Sequence, residues 1–259
     1  MRLNTAALRY LTAEDWRVLT AFEQGSKNHE VVPTTLAKQI AGLRNASKVL
    51  NSIANLAKIG LIARVKNAKY DGYRLTYYGY DYLALKAFSK RKTTYSVGNQ
   101  IGVGKESDIY VVADEGGTTN VLKVHRLGRI SFRTIKNNRD YLKNRKSASW
   151  MYMSRLAAMK EYAAMKILHA NGFPVPRPID QTRHCIVMEF IDAYPMRQFT
   201  SAADPSGLYA TLMSLIVRLA SQGLIHGDFN EFNILVYDSG EVKLIDFPQV
   251  VSTDHPNAQ

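Results

Sequence analysis

Cysteine is nearly absent: Cys185 is the only one in 259 residues. No internal disulfide can form, and this usage fits a reducing compartment. Long apolar runs are missing too. No window of 18 or more apolar residues occurs, so no transmembrane helix is predicted. The opening residues, MRLNTAALRY, lack the apolar stretch of a secretory leader, and no signal peptide is expected. Acidic residues are scarce, 22 against 34 basic, for a formal charge of +12. A chain this basic commonly meets a polyanion. Disorder is excluded in turn, because 46% of the residues are apolar, enough for a substantial core.

The deficit of acids is uneven. Residues 1–90 carry a net charge of +8, and 123–160 carry +10 with Asp140 as the single acid, while the rest is acidic overall. The pattern reads as two phosphate-facing surfaces, or alternatively as a solubilising exterior.

Residues 1–90 show three helical periodicities followed by strands. Trp16, Val18, Leu19 and Phe22 lie at helical spacing before Gly25. Pro33 opens a second helix, and a third carries Val49, Ile53, Leu56 and Ile59 before Gly60. Two strands are predicted around a turn at Tyr70-Asp71-Gly72, then a closing helix at YDYLALKAF. Helices followed by a hairpin is the winged-helix order. The third helix offers few long base-reading side chains (Lys48, Asn51, Asn55), which disfavours sequence-specific DNA reading. Arg64, Lys66, Lys69 and Arg74 on the wing suit phosphates, so backbone or structured-RNA contact is expected. A winged helix that only docks protein is the alternative.

The following segment, YSVGNQIGVGKESDIYVV, places Gly102, Gly104 and Ser107 in a strand-turn-strand context, where backbone N–H groups and a hydroxyl can approach phosphate. Lys123 follows between apolar Leu122 and Val124. A lysine so flanked must point off the apolar face into water or find an anionic partner, and a nucleotide phosphate is such a partner. The helix from Ser149 to about Asn171 contains one acid, Glu161, the natural ion-pair partner. Between them lies a basic insertion at about 126–148, expected to fold over the nucleotide or to contact RNA through Arg126, Arg129, Arg133 and Lys136, with a solvated loop as the alternative. A strand over Ile186–Met188 leads to a hinge near Glu189–Ile191, whose backbone can meet an adenine edge.

The stretch LIHGDFNEFNILVYDSGEVKLIDFPQ completes the pattern. Asp228 on a loop can orient or deprotonate an attacking hydroxyl. Asn233 and Asp246 offer the hard oxygens that magnesium-bridged phosphates require. With the glycine loop and Lys123, this is a phosphoryl-transfer arrangement.

IHGDFNEFN, LIDFPQ, VGKESDIY, LGRISFR, NNRDYL and SRLAAMKE together resemble the RIO family of atypical kinases, over nearly the whole chain. The N-terminal winged helix resembles its Rio-two subfamily. The resemblance implies an α+β chain: a winged helix at 1–90, a kinase N-lobe at 91–191, and a partial C-lobe at 192–259. It implies ATP and Mg2+ as cofactors. Asp228, Asp246 and Lys123 would be catalytic, and Asn233 and Asp246 would hold metal. Gly102, Gly104, Lys105, Ser107, Lys123 and Glu161 would lie on the phosphate side. Met188 would be the gatekeeper, with Glu189 and Ile191 at adenine. It further implies a cytoplasmic assembly factor, with shuttling through the nucleus and no membrane role. Such a factor acts on the small-ribosomal-subunit precursor, mainly as an ATPase with a phosphoaspartate at Asp246. A serine/threonine kinase for an assembly protein, an ATP-sensing RNA scaffold, and a small-molecule phosphotransferase are the competing readings. The family continues past HPNA with further helices, so the apolar face of the Leu208–Gln222 helix is expected to be partly exposed.

Overall fold

The computed structural model describes residues 3, 5–65, 70–129, 149–198 and 204–258. The chain divides into two compact units, Met1–Gln100 and Ile101–Gln259.

The first unit runs α1 (Ala13–Gly25), β1 (Val32–Pro33), α2 (Thr34–Ala41), α3 (Ala46–Lys58), β2 (Ile62–Arg64), β3 (Gly72–Leu75) and α4 (Tyr77–Lys90). A capping box starts α1: the Asp15 amide donates to Thr12 Oγ1 at 3.2 Å, and the Thr12 amide donates to Asp15 Oδ2 at 3.1 Å. Asp15 is buried and also accepts from Asn55 Nδ2 at 3.0 Å, which ties α1 to α3. Asn45 caps α3, and Thr76 caps α4 while donating to Gly60 O at 2.8 Å. The expected stripe is buried at Val49, Ile53 and Leu56, and Val18, Leu19, Phe22 and Phe88 are buried as well. Helix α1 packs on α2, α3 and α4 and on β3 of a three-stranded antiparallel sheet of order β1-β3-β2. This is a winged helix.

Gly25 is the last residue of α1, the stop expected from the sequence, and a Cβ there would come within 2.6 Å of Val32 Cγ1. Two details differ from the sequence expectation. The short strand β1 is an addition. Gly72 starts β3 and pairs with Pro33, so it belongs to the strand and not to the predicted turn.

The second unit is built on a five-stranded antiparallel sheet of order β4-β5-β6-β8-β7. Its strands are β4 (Ser96–Val103, which crosses the division), β5 (Ser107–Ala113), β6 (Thr119–His125), β7 (Pro178–Thr182) and β8 (Cys185–Glu189). The central strand β6 is buried from Asn120 to His125. Both of its faces are covered, which is why its sequence reads as an apolar run instead of an alternation. Helix α5 (Trp150–Ala170), capped by Ser149, packs on this sheet and buries Ala157, Ala158, Glu161 and Met165.

Beyond the hinge come β9 (Tyr194–Pro195), α6 (Pro205–Ser221), β10 (Leu224–Ile225), the β11–β12 hairpin (Ile234–Val236, Val242–Leu244) and β13 (Val251–Ser252). One core joins these elements to the sheet, including Ile186, Met188, Leu219, Ile234, Leu244 and Phe247. Helix α6 buries Leu215 and Leu219, packs Leu208 and Leu212 against this core, and leaves Tyr209, Met213, Ile216 and Val217 exposed; of the predicted apolar face only Ile216 is exposed. Among the described residues, no helix is long and apolar enough to cross a membrane.

Candidate active site

The buried centre is Lys123. Its register on β6, opposite Ile109 and Ile186, leaves its ammonium no water, and it is 4% exposed. The side chain finds two carboxylates instead: Nζ lies 2.6 Å from Glu161 Oε1 on α5 and 2.6 Å from Asp246 Oδ1. Burial disfavours the ammonium, but Asp246 and Glu161 outweigh it and hold its pKa above the usual lysine value. Glu161 is the complement. Burial opposes its charge, yet Lys123 and His125 lower its pKa to about 2. His125 Nε2 sits 2.8 Å from Glu161 Oε2, a close approach without hydrogen-bond alignment. The Phe247 amide donates to Glu161 Oε1 at 3.3 Å, so Glu161 also fixes the segment that carries Asp246. Asp246 has φ +69°, a left-handed conformation that costs a non-glycine residue of order 1 kcal/mol or more.

A second cluster surrounds Asp228. Asn233 Nδ2 donates to its Oδ2 at 2.9 Å and to its main-chain carbonyl at 2.9 Å. Asn230 Nδ2 donates to Oδ1 at 2.7 Å, and Gln249 Nε2 to Oδ2 at 3.3 Å. Three amides therefore orient this carboxylate. The loop is held from behind by His226, whose ring packs against Phe229 and Phe247 and whose Nε2 lies 3.2 Å from Ile245 O. Burial is the largest influence on His226 and lowers its pKa, against the opposing pull of that carbonyl and of Asp246, Asp228 and Glu161. Gly227 (φ +78°) lets the loop press on the segment after Asp246: a Cβ there would lie 2.5 Å from Gln249 O. The two clusters meet through the main chain, where the Ile245 amide donates to Asn233 O at 3.0 Å.

This donor set fits magnesium. With its amide nitrogen committed to Asp228, Asn233 keeps Oδ1 as a neutral oxygen ligand, and Asp246 keeps Oδ2. Among the described residues there is no cluster of three or more His, Cys, Asp or Glu suited to an all-protein metal cage. Magnesium bound through one or two protein oxygens plus substrate phosphates needs none.

The remaining predicted residues line the approach. Gly102 ends near the tip of β4, and Gly104 turns the chain so that its amide donates to Ser107 O at 2.8 Å. Lys105 is exposed between them. Met188 is buried on β8 opposite Val121. Glu189 differs in part from expectation. Its amide donates to Arg177 O and its Oε2 accepts from Arg177 N, both at 2.9 Å. That leaves its carbonyl and the main chain of buried Ile191 as the backbone groups for an adenine edge.

Of the predicted RNA-facing residues, Arg126 turns inward: it is 1% exposed and donates through Nε to Asp108 at 3.0 Å, while Arg129 stays exposed and also grips Asp108. A completely buried carboxylate attracts both guanidinium groups more strongly than water does. Arg133 and Lys136 lie outside the described residues.

The RIO domain family matches residues 108–259, and the Rio2 N-terminal family matches 8–91. This chain belongs to the RIO kinase family. It is therefore a RIO-type serine/threonine kinase with a Rio2-type winged helix. Over its full length it is 64% identical to the serine/threonine-protein kinase rio2 of Schizosaccharomyces pombe, of which it spans 75%. It is 59% identical to that of Dictyostelium discoideum, of which it spans about half, 49%. The Rio2 kinase–ADP/Mg2+–phosphoaspartate complex from Chaetomium thermophilum superposes with a TM-score of 0.88 at 64% identity. That match covers 99% of this chain and 78% of the other.

The structure brings the predicted Lys123, Glu161 and Asp246 together and sets the predicted Asn233 against Asp228. Sequence reasoning missed Asn230, Gln249, His226, His125 and Asp108. Asn230 and Gln249 lie within IHGDFNEFN and LIDFPQ, and two amides near a predicted catalytic carboxylate were the available signal.

Proposed function

We propose that this RIO chain hydrolyses Mg-ATP through a phosphoaspartate at Asp246, working mainly as an ATPase. The reading rests on one observation: a single lysine draws Asp246 and Glu161 together, while the neighbouring Asp228 is oriented by amides. Lys123 would hold α/β-phosphate oxygens, releasing Asp246. Bound at Asn233 and Asp246, Mg2+ would neutralise charge building on the phosphates. An Asp246 carboxylate oxygen forms a bond to the γ-phosphorus as the bond to the β,γ-bridging oxygen breaks, and ADP leaves with the electron pair. Water, oriented by Asp228, then attacks the phosphorus; the bond to the Asp246 oxygen breaks, the Asp246 carboxylate is regenerated, and inorganic phosphate leaves with the water's oxygen and one of its protons. The phosphoaspartate of the Chaetomium relative supports this course.

The cellular setting is part of the proposal. Family resemblance and the +8 charge of residues 1–90 support a cytoplasmic factor, shuttling through the nucleus, on the small-ribosomal-subunit precursor. RNA contact would be mostly to backbone. Phosphorylation of an assembly protein is the second reading, favoured by the serine/threonine-kinase names of the relatives.

An acid-quenched single turnover with γ-labelled ATP, followed by hydroxylamine, separates the two. Hydroxylamine-labile label that Asp246→Asn abolishes supports the ATPase cycle. Hydroxylamine-stable label that passes to added protein supports the kinase reading and overturns the first.

A further inference from the structure

Asp108 is the first residue after the glycine loop to be fully buried, at 0% exposure. On β5 it pairs in register with Val124. An isolated carboxylate there would be very costly. Three nitrogens compensate it. Arg129 donates in bidentate fashion, Nη1 to Oδ1 at 2.9 Å and Nη2 to Oδ2 at 2.7 Å, and Arg126 adds Nε to Oδ2 at 3.0 Å.

Structural compensation alone does not explain where the third bond of Arg129 goes. Nη1 also donates to the carbonyl of Gly104 at 3.1 Å. The main chain of Arg126 reaches the same loop, its amide donating to Glu106 O. Gly104 has no side chain to restrain it, and the loop crosses exposed Val103 to Lys105. The loop is thus tied at 104 and 106 to a short helix, Leu127–Arg129, that is itself anchored by Asp108 and by the Leu127 amide donating to Ser154 Oγ at 3.2 Å. Arg129 is 27% exposed, unlike Arg126, so it acts at the rim where the loop would face a ligand.

We propose that Arg129, held by buried Asp108, is a positioning residue that fixes the glycine loop in its phosphate-accepting shape. This deepens the nucleotide reading above and rests on it. A loop held in its bound form loses less freedom when phosphate arrives, and that difference shows as affinity. The effect belongs to the phosphates alone, because adenosine would be held at the hinge.

The test measures binding of ATP, ADP and adenosine to the 259-residue chain by calorimetry with magnesium present, for wild type, Arg129→Ala and Arg129→Lys. Arg129→Ala is expected to weaken ATP and ADP about tenfold, the scale of a lost charge-assisted hydrogen bond. Adenosine should stay within about twofold, so the ATP-to-adenosine ratio collapses. Arg129→Lys keeps one donor and should recover part of the ratio. Equal losses for all three ligands, or an unchanged ratio, would overturn the proposal. If wild type binds ATP no tighter than adenosine, the glycine loop is not a phosphate site, and the nucleotide reading fails before the role of Arg129 arises.

Discussion

The two units handle opposite charges in contrasting ways. In the winged helix, Lys48–Glu14, Arg64–Asp71 and Arg74–Glu30 pair at 2.9, 3.0 and 2.6 Å with side chains roughly one-third to four-fifths exposed. In the RIO half, Lys123–Glu161 and Arg126–Asp108 pair at 2.6 and 3.0 Å with side chains 5% exposed or less. The distances are alike and the energetics are not. An exposed pair contributes about 0–1 kcal/mol and is screened by salt. A buried pair can contribute little net stability, yet removing one member costs about 3–5 kcal/mol, because the other charge is left unpaired. The first kind can exchange its partner for a phosphate at little cost. The second holds reactive groups in one geometry.

The largest expected effect breaks the buried network. Lys123→Ala should destabilise the RIO half by about 3–5 kcal/mol in denaturant titration and abolish phosphoryl transfer. Lys123→Met with Glu161→Leu should regain much of that stability but no turnover. Recovery of turnover would remove Lys123 from the chemistry.

Next comes Asp228→Asn, which keeps the shape and loses the charge. Turnover should fall about 10²–10⁴-fold while ATP affinity is retained. Single-turnover rates and calorimetry check the two halves of that expectation.

Acid should act selectively on the RIO half. Glu161 titrates at about 2 when folded against an ordinary 4.5, so its contribution is complete above 4.5 and is lost as pH falls toward 2. His226 is pushed below its ordinary 6.5 by burial, so the unfolded chain binds its proton first and stability declines as pH drops below 6.5. Denaturant midpoints across pH 3–8 should therefore fall in acid (the range spans about both ordinary values). Glu161→Gln should flatten the lower part of that decline.

The smallest effects lie on the wing. Arg64→Ala or Arg74→Ala should change stability by less than about 1 kcal/mol, shrinking further in high salt. If these arginines also reach RNA phosphates, each substitution should lower the log–log salt slope of RNA binding by about 0.7–0.9. An unchanged slope would leave them as surface ion pairs only.

Much of this was legible from sequence. Helix and strand periodicities located most elements, because burial on one face imposes a repeat that side-chain chemistry cannot hide. Spacing also marked Asp228, Asn233 and Asp246, since a phosphoryl-transfer site needs those groups on neighbouring loops. Lys123 was legible because a lysine inside an apolar strand demands an anion. The short strand β1 was not, as two residues carry no periodicity. The capture of Asp108 by Arg126 and Arg129 was not either, since a basic run looks the same whether it faces solvent or a buried Asp108 distant in sequence but near in space.

Sequence by itself therefore determined the family, the element order and which residues carry chemical potential. Tertiary structure decided their partners: that Lys123 bridges two carboxylates, that three amides orient Asp228, and that one arginine of a basic run holds the glycine loop. The physical reason is that ion pairs and hydrogen bonds act over about 3 Å, and contacts at that range between distant residues exist only once the sheet and α5 have packed.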